Sequence, residues 1–92
     1  MGAETTADNL ESLEAVQAYL EAAFETSDKA LIAAALGDVA RAKGMSSVAR
    51  TSGLSRESLY RALSENGNPE LRTVLKVLDA VGVTLVPKMH LS

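Results

Sequence analysis

The sequence predicts an all-α fold, five helices followed by a short C-terminal β-prone arm, and three observations point to it. Apolar residues recur every three or four positions through most of the 92 residues, the spacing of a helix with one buried stripe. Capping residues and glycines fall where those periodic runs begin and end. The β-branched run "VTLVP", Val83 to Pro87, is too short to make a sheet alone. A chain of this size forms one small domain burying ~60% of its unfolded surface, so a modest core is expected and a large enclosed active site is not. Function is therefore sought on the surface.

Residues 1–9 are small and polar without periodicity and read as a frayed tail; the helical domain is expected over 10–82 and the arm over 83–92. The first helix starts near Ser12, with Leu13, Val16, Tyr19 or Leu20, Ala23 and Phe24 forming a stripe opposite glutamates, and stops at "TSD". Asp28 is a good N-cap for a second helix from Lys29 to about Lys43, whose stripe is Leu31, Ile32, Ala35, Leu36, Val39 and Ala40. Gly44 supplies a left-handed stop. In "MSSVARTSG" Ser46 or Ser47 caps a short helix, Val48 and Ala49 face inward, and Gly53 ends it. Ser55 caps the next helix, Arg56 to about Ser64. The steps Asn-Gly and Asn-Pro make "ENGNP" a loop. A last helix runs from Pro69 or Glu70 to Val81, with Gly82 at its end.

Two short helices joined by a Gly-containing turn describe a helix-turn-helix, here over about 45–64. Each position has a steric reason. Ala49 is small where the helices approach most closely, Gly53 supplies a turn that is easy only without a Cβ, Leu54 plugs the corner, and Leu59, Ala62 and Leu63 anchor the second helix. Arg56 to Ser64 then becomes a recognition helix whose first turn enters a DNA major groove. Its solvent face carries Arg56, Glu57, Tyr60 and Arg61, the candidate base readers: arginine pairs with guanine O6 and N7, and glutamate accepts from cytosine N4. Glu57 also suits a helix N-terminus on electrostatic grounds alone, and Tyr60 either stacks on the DNA backbone or covers the core. Candidate phosphate ligands are Ser46 and Ser47, Ser55 and Ser58, the backbone N–H groups of Gly67 and Asn68, and Arg72 with Thr73 at the start of the last helix. Serine at a helix start is equally explained as a cap.

The formal net charge is −3, unexpected for a DNA reader until it is split. Residues 1–40 carry eight carboxylates against Lys29 alone, −7; residues 41–92 carry five Arg and three Lys against Glu57, Glu65, Glu70 and Asp79, +4. Such asymmetry suggests an anionic partner for the second half and a cationic one for the first, or simply a solvated acidic helix. The absence of cysteine excludes disulfide staples and thiolate metal sites. No export signal or membrane span is legible, so a soluble cytoplasmic protein is expected. His90, the only histidine, sits in the terminal "KMHLS"; no glycine-rich phosphate loop or carboxylate pair accompanies it. No catalytic residue, metal or cofactor is expected.

Tyr19 to Leu85, and above all "GLSRESLYRALSENGNPELRTVLKVLDAVG", resembles the addiction-module antidote proteins, a branch of the lambda-repressor-like helix-turn-helix superfamily. Lys29 stands where that family often has proline, and the first eighteen residues match loosely. The resemblance implies the antitoxin of a type II toxin-antitoxin pair. Such a protein neutralises a small basic toxin similar to the RelE ribonucleases and represses its own operon as a homodimer on double-stranded operator DNA. A stand-alone repressor, and a helical interaction protein that does not bind DNA, are the alternatives. For dimerisation the expected residues are Val83 and Leu85, on an apolar arm that pairs with a second copy or docks over its own core.

Overall fold

The computed structural model describes residues 12–89, which form five helices and, among these residues, no strand. They are α1 (Leu13–Glu25), α2 (Lys29–Lys43), α3 (Met45–Ser52), α4 (Arg56–Ala62) and α5 (Leu71–Ala80), so the domain is all-α as expected. The expected tail at residues 1–9 and His90 lie outside the described residues.

The caps explain the boundaries. Ser12 accepts the N–H of Ala15 at 3.0 Å, and Asp28 accepts those of Ala30 and Leu31 at 2.9 and 3.3 Å, each satisfying donors that the first helical turn leaves free. Between α1 and α2, the Thr26 hydroxyl donates to the carbonyl of Ala23 at 2.6 Å and accepts the N–H of Asp28 at 3.0 Å. The turn between these helices is thus closed by its own side chains.

Helix α2 is the centre of the domain, packing against each of the other four helices. Its residues make that possible: Ala33, Ala35, Gly37 and Ala40 are buried together with Leu36 and Val39, and small side chains let neighbouring backbones approach. At Gly37 the approach is closest, since any Cβ there would collide with the carbonyl oxygen of Leu63 at the end of α4. Around this axis lie the fully buried Leu36, Leu59, Leu63 and Leu78 with Val39, Val48 and Val77. Each large one contributes ~1.5–3 kcal/mol by removal from water. Helix α1 adds Val16 and Leu20 to the same core.

Several expectations are corrected. Neither Ser46 nor Ser47 caps α3: Gly44, at φ 113°, ends α2 and directly precedes α3, and α3 has no side-chain cap bond. One glycine serves both helices and leaves no position for a capping serine. Helix α4 ends at Ala62 rather than Ser64, because Leu63 leaves helical geometry at φ −101°, ψ 47°. Helix α5 begins at Leu71, with Glu70 in extended geometry as its N-cap residue and Pro69 outside it. Leu31, expected on the buried stripe of α2, is exposed, as are Leu71 and Leu75 on α5.

Candidate nucleic-acid interface

The unit formed by α3 and α4 is held by one carbonyl. The N–H groups of Gly53 and Leu54 both return to the C=O of Ala49, at 2.9 and 3.1 Å. The Ser52 hydroxyl also donates to that oxygen at 3.3 Å and accepts the N–H of Leu54 at the same distance. Gly53 sits at φ 77°, ψ 16°, the left-handed region that costs a residue with a side chain ~1–2 kcal/mol. Ala49 and Leu54 are half-buried against the core. The turn is therefore fixed from both sides, by hydrogen bonds and by packing.

Ser55 then starts α4. Its Oγ accepts the N–H of Ser58 at 3.0 Å and donates to the Ser58 hydroxyl at 2.8 Å. Two of the candidate phosphate ligands are thereby tied to each other, and Ser55 acts as a cap in the structure. Leu59 and Leu63 are fully buried, and they fix the rotation of α4. Arg56, Glu57, Tyr60 and Arg61 consequently all lie on the exposed side of a single short helix. Within this set the Arg56 guanidinium lies 6.0 Å from the centroid of the Tyr60 ring, the outer range of a cation–π contact. Tyr60 remains 45% exposed, so its ring is a platform beneath an arginine rather than a core side chain. Sequence reasoning missed this pairing, although the four-residue spacing places such neighbours on one helix face.

The flanking candidates divide. Ser46 is exposed in the first turn of α3, and Ser47 is half-buried there. Arg72 is exposed and paired with Glu70 at 3.4 Å, while Thr73 is half-buried. Asn68 is exposed. Gly67 is a correction: its N–H, expected to be free, donates to the carbonyl of Ser64 at 2.8 Å. The chain turns so tightly after α4 that a Cβ at Gly67 would strike the Ala62 carbonyl, and the bond follows from that turn. Helix α3 packs against both α4 and α5, so Ser46 lies on the helix that joins the α4 face to the helix carrying Arg72.

Between α1 and α2 lies a second polar constellation that sequence reasoning did not find. The Tyr19 hydroxyl donates to Asp38 Oδ2 at 2.5 Å, and Arg41 Nη2 donates to Oδ1 of the same carboxylate at 2.7 Å. The Asp38 hydrogen bond, with burial and the carboxylate charge behind it, pushes the Tyr19 phenol up to about 12. This network fastens α1 to α2. A related pair joins the chain end to α1: Lys88 Nζ lies 3.0 Å from Glu21 Oε2 and 3.3 Å from Glu25 Oε2. Among the described residues no group of His, Asp or Glu is placed to hold a metal ion, and no helix is long and apolar enough to cross a membrane.

Comparison with known families decides where such a chain belongs. A family model described as "Probable addiction module antidote protein" matches residues 3–89. The chain belongs to that family. The match to the antidote family extends past the Tyr19–Leu85 segment that carries the resemblance, and takes in all eight carboxylates of residues 1–40. Within curated proteins, an uncharacterized protein of Haemophilus influenzae is 48% identical over 77 residues, covering 84% of this antidote-family chain and 79% of its own length. No solved structure gives a significant match. Membership implies a toxin partner.

Proposed function

We propose that this protein is a DNA-binding antitoxin of a type II toxin-antitoxin module, which neutralises a small basic RelE-like toxin and represses its own operon as a dimer. The observation that carries the DNA half is the α4 face. Arg56, Glu57, Tyr60 and Arg61 are exposed together, behind a Gly53 turn and over buried Leu59 and Leu63. That is how a lambda-repressor-like helix-turn-helix presents its recognition helix to a major groove. Arg56 and Arg61 read guanine and Glu57 reads cytosine; Tyr60 braces Arg56. Ser46, Ser47, Ser58, Asn68, Arg72 and Thr73 contact phosphates, with the cap of Ser55 orienting Ser58 and the Gly67 turn presenting Asn68. The body measures 37 × 30 × 22 Å, and two copies reading half-sites one turn of DNA apart hold their recognition helices about 34 Å apart. Leu85 and Val83 belong to the segment assigned to that pairing.

The toxin half rests on family membership and on charge: residues 1–40 hold −7, and Glu14, Gln17, Glu21 and Glu25 are exposed on α1. An acidic helix speeds encounter with a cationic partner and orients it.

Mobility shift on the DNA upstream of the protein's own gene, from 50 to 200 mM salt, tests the first half. Binding that falls steeply with salt and is weakened in Arg61→Ala is expected; a protein that never shifts that DNA would refute it. Co-expression with the product of the adjacent gene tests the second. Rescue of growth is expected, and weaker rescue by Glu14→Lys with Gln17→Lys, which leaves the buried Val16 and Leu20 untouched. An antitoxin without a toxic neighbour would instead be a stand-alone repressor.

A further inference from the structure

The C-terminal arm begins after a completed helix stop. Gly82 takes φ 84°, its N–H returns to the carbonyl of Asp79 at 3.1 Å, and the N–H of Val83 returns to Leu78 at 2.9 Å. Both bonds of a Schellman motif are made, and Val83 packs half-buried against the core. Up to Val83 the chain is locked to its own body.

Beyond Val83 the attachment changes in kind. Among the described residues, the backbone of residues 84–89 makes no hydrogen bond to any other backbone group. Val86 is 65% and Met89 90% exposed. A groove of about 800 Å³ separates the arm from α1, with Leu20 and Phe24 on its α1 side and Leu85 and Met89 on the arm. The far end is held by charge, through the Lys88 ammonium set between Glu21 and Glu25, whose carboxylates also raise its pKa above the ordinary lysine value.

We infer that two copies of this chain exchange their arms: residues 84–89 of each lie in the groove along α1 of the other, with Lys88 clasped by Glu21 and Glu25 of that copy. Ammonium and paired carboxylates on one chain form a self-complementary surface, which a two-fold dimer requires, and exchange of an identical segment is a low-cost route to one. The arm gives up no backbone hydrogen bond when it leaves, because it makes none, and it regains the same Lys88 contacts in the other copy. In addition, a second body covers Leu85, Val86 and Met89. The arms cross antiparallel about the two-fold axis, so the unpaired N–H and C=O groups of Thr84 to Val86 can bond to one another; Pro87, lacking an N–H, ends that ladder. This deepens the dimer in the proposed function and rests on it.

Two charge-reversed proteins test the exchange, Lys88→Glu in one and Glu21→Lys with Glu25→Lys in the other. All three positions are exposed, so folding is retained, and circular dichroism verifies it. At low salt each protein alone is expected to dimerise roughly tenfold more weakly than wild type, because every arm meets like charge. Mixed one to one, they are expected to form heterodimers by native mass spectrometry, since opposite charges then meet only between copies. Wild-type dimers whose charge-reversed forms dimerise as tightly as wild type, or fail to pair when mixed, would overturn arm exchange while leaving another dimer interface in place. Wild type that stays monomeric at every concentration would overturn the dimer as well.

Discussion

The α3–α4 side and the α1 side of this molecule solve opposite problems with opposite means. On the first, the exposed side chains stand on a backbone that is bonded and packed from beneath: Ala49 accepts the turn, Ser55 caps α4, and Leu59 and Leu63 are sealed in the core. On the second, Val16 and Leu20 of α1 join the same core, and polar side chains nearer the surface add to them, with Tyr19 on Asp38 and Lys88 on Glu21 and Glu25. A reader of base edges must hold its side chains to a fraction of an ångström, which only packing and backbone bonds provide. A helix that meets a partner through complementary charge tolerates looser attachment. Residues 1–40, at −7, supply α1 and most of α2, and the +4 remainder supplies α3, α4, α5 and the Lys88 that returns to α1.

If the faces share only the α2 axis, damage to that axis should disable both. Gly37→Ala places a Cβ against the Leu63 carbonyl, backbone against backbone, so α2 and the end of α4 must separate. We expect a loss of about 3 kcal/mol and a melting temperature lower by roughly 15 °C, measured by calorimetry. DNA binding and toxin rescue should fall together. Unchanged melting would mean that α4 is not seated on α2 as described.

The next largest effect should fall on one face alone. Arg56→Ala and Arg61→Ala remove exposed side chains and should leave melting unchanged, yet each should weaken operator binding by about 1–3 kcal/mol and relax preference at one base pair. Toxin rescue should be intact. Tyr60→Ala should mimic a part of Arg56→Ala, since its ring lies under that guanidinium; full binding by this variant would show that the pair has no part in recognition. Smaller again is Gly53→Ala, about 1–2 kcal/mol of stability from the left-handed turn.

The contrast between the faces also explains what could be read in advance. The α3–α4 side is coded locally: capping serine, turn glycine and anchor leucines lie within a dozen residues. Apolar periodicity along the chain gives all five helices, while the start of α3, the end of α4 and the start of α5 differ from expectation. What escaped was non-local. Gly37 has no local signal in its alanine-rich helix, because its reason is the Leu63 carbonyl 26 positions away. Tyr19 and Asp38, or Lys88 and Glu21, are partners only after the chain has folded. Ser46 and Ser47 were plausible caps because serine favours helix starts, but composition could not reveal that Gly44 would serve two helices at once.

The smallest effect tests the α1 side, and pH isolates it. In the folded chain the Tyr19 phenol is pushed up to about 12, first by its hydrogen bond to Asp38; in the unfolded chain it ionises near 10. Folding therefore favours the protonated phenol. The stability it contributes is complete below pH 10 and is lost as pH rises through the folded value, a window from about 10 to about 12. Tyr19→Phe keeps the ring but removes the hydroxyl, leaving Asp38 with the Arg41 bond alone. It should cost about 1 kcal/mol at neutral pH. The difference from wild type should then shrink across the alkaline window, because the wild-type bond is being lost while the variant has none to lose. Urea melts at pH 7, 9, 10 and 11 measure it. A constant difference at every pH would mean that α1 is held to α2 by Val16 and Leu20 alone.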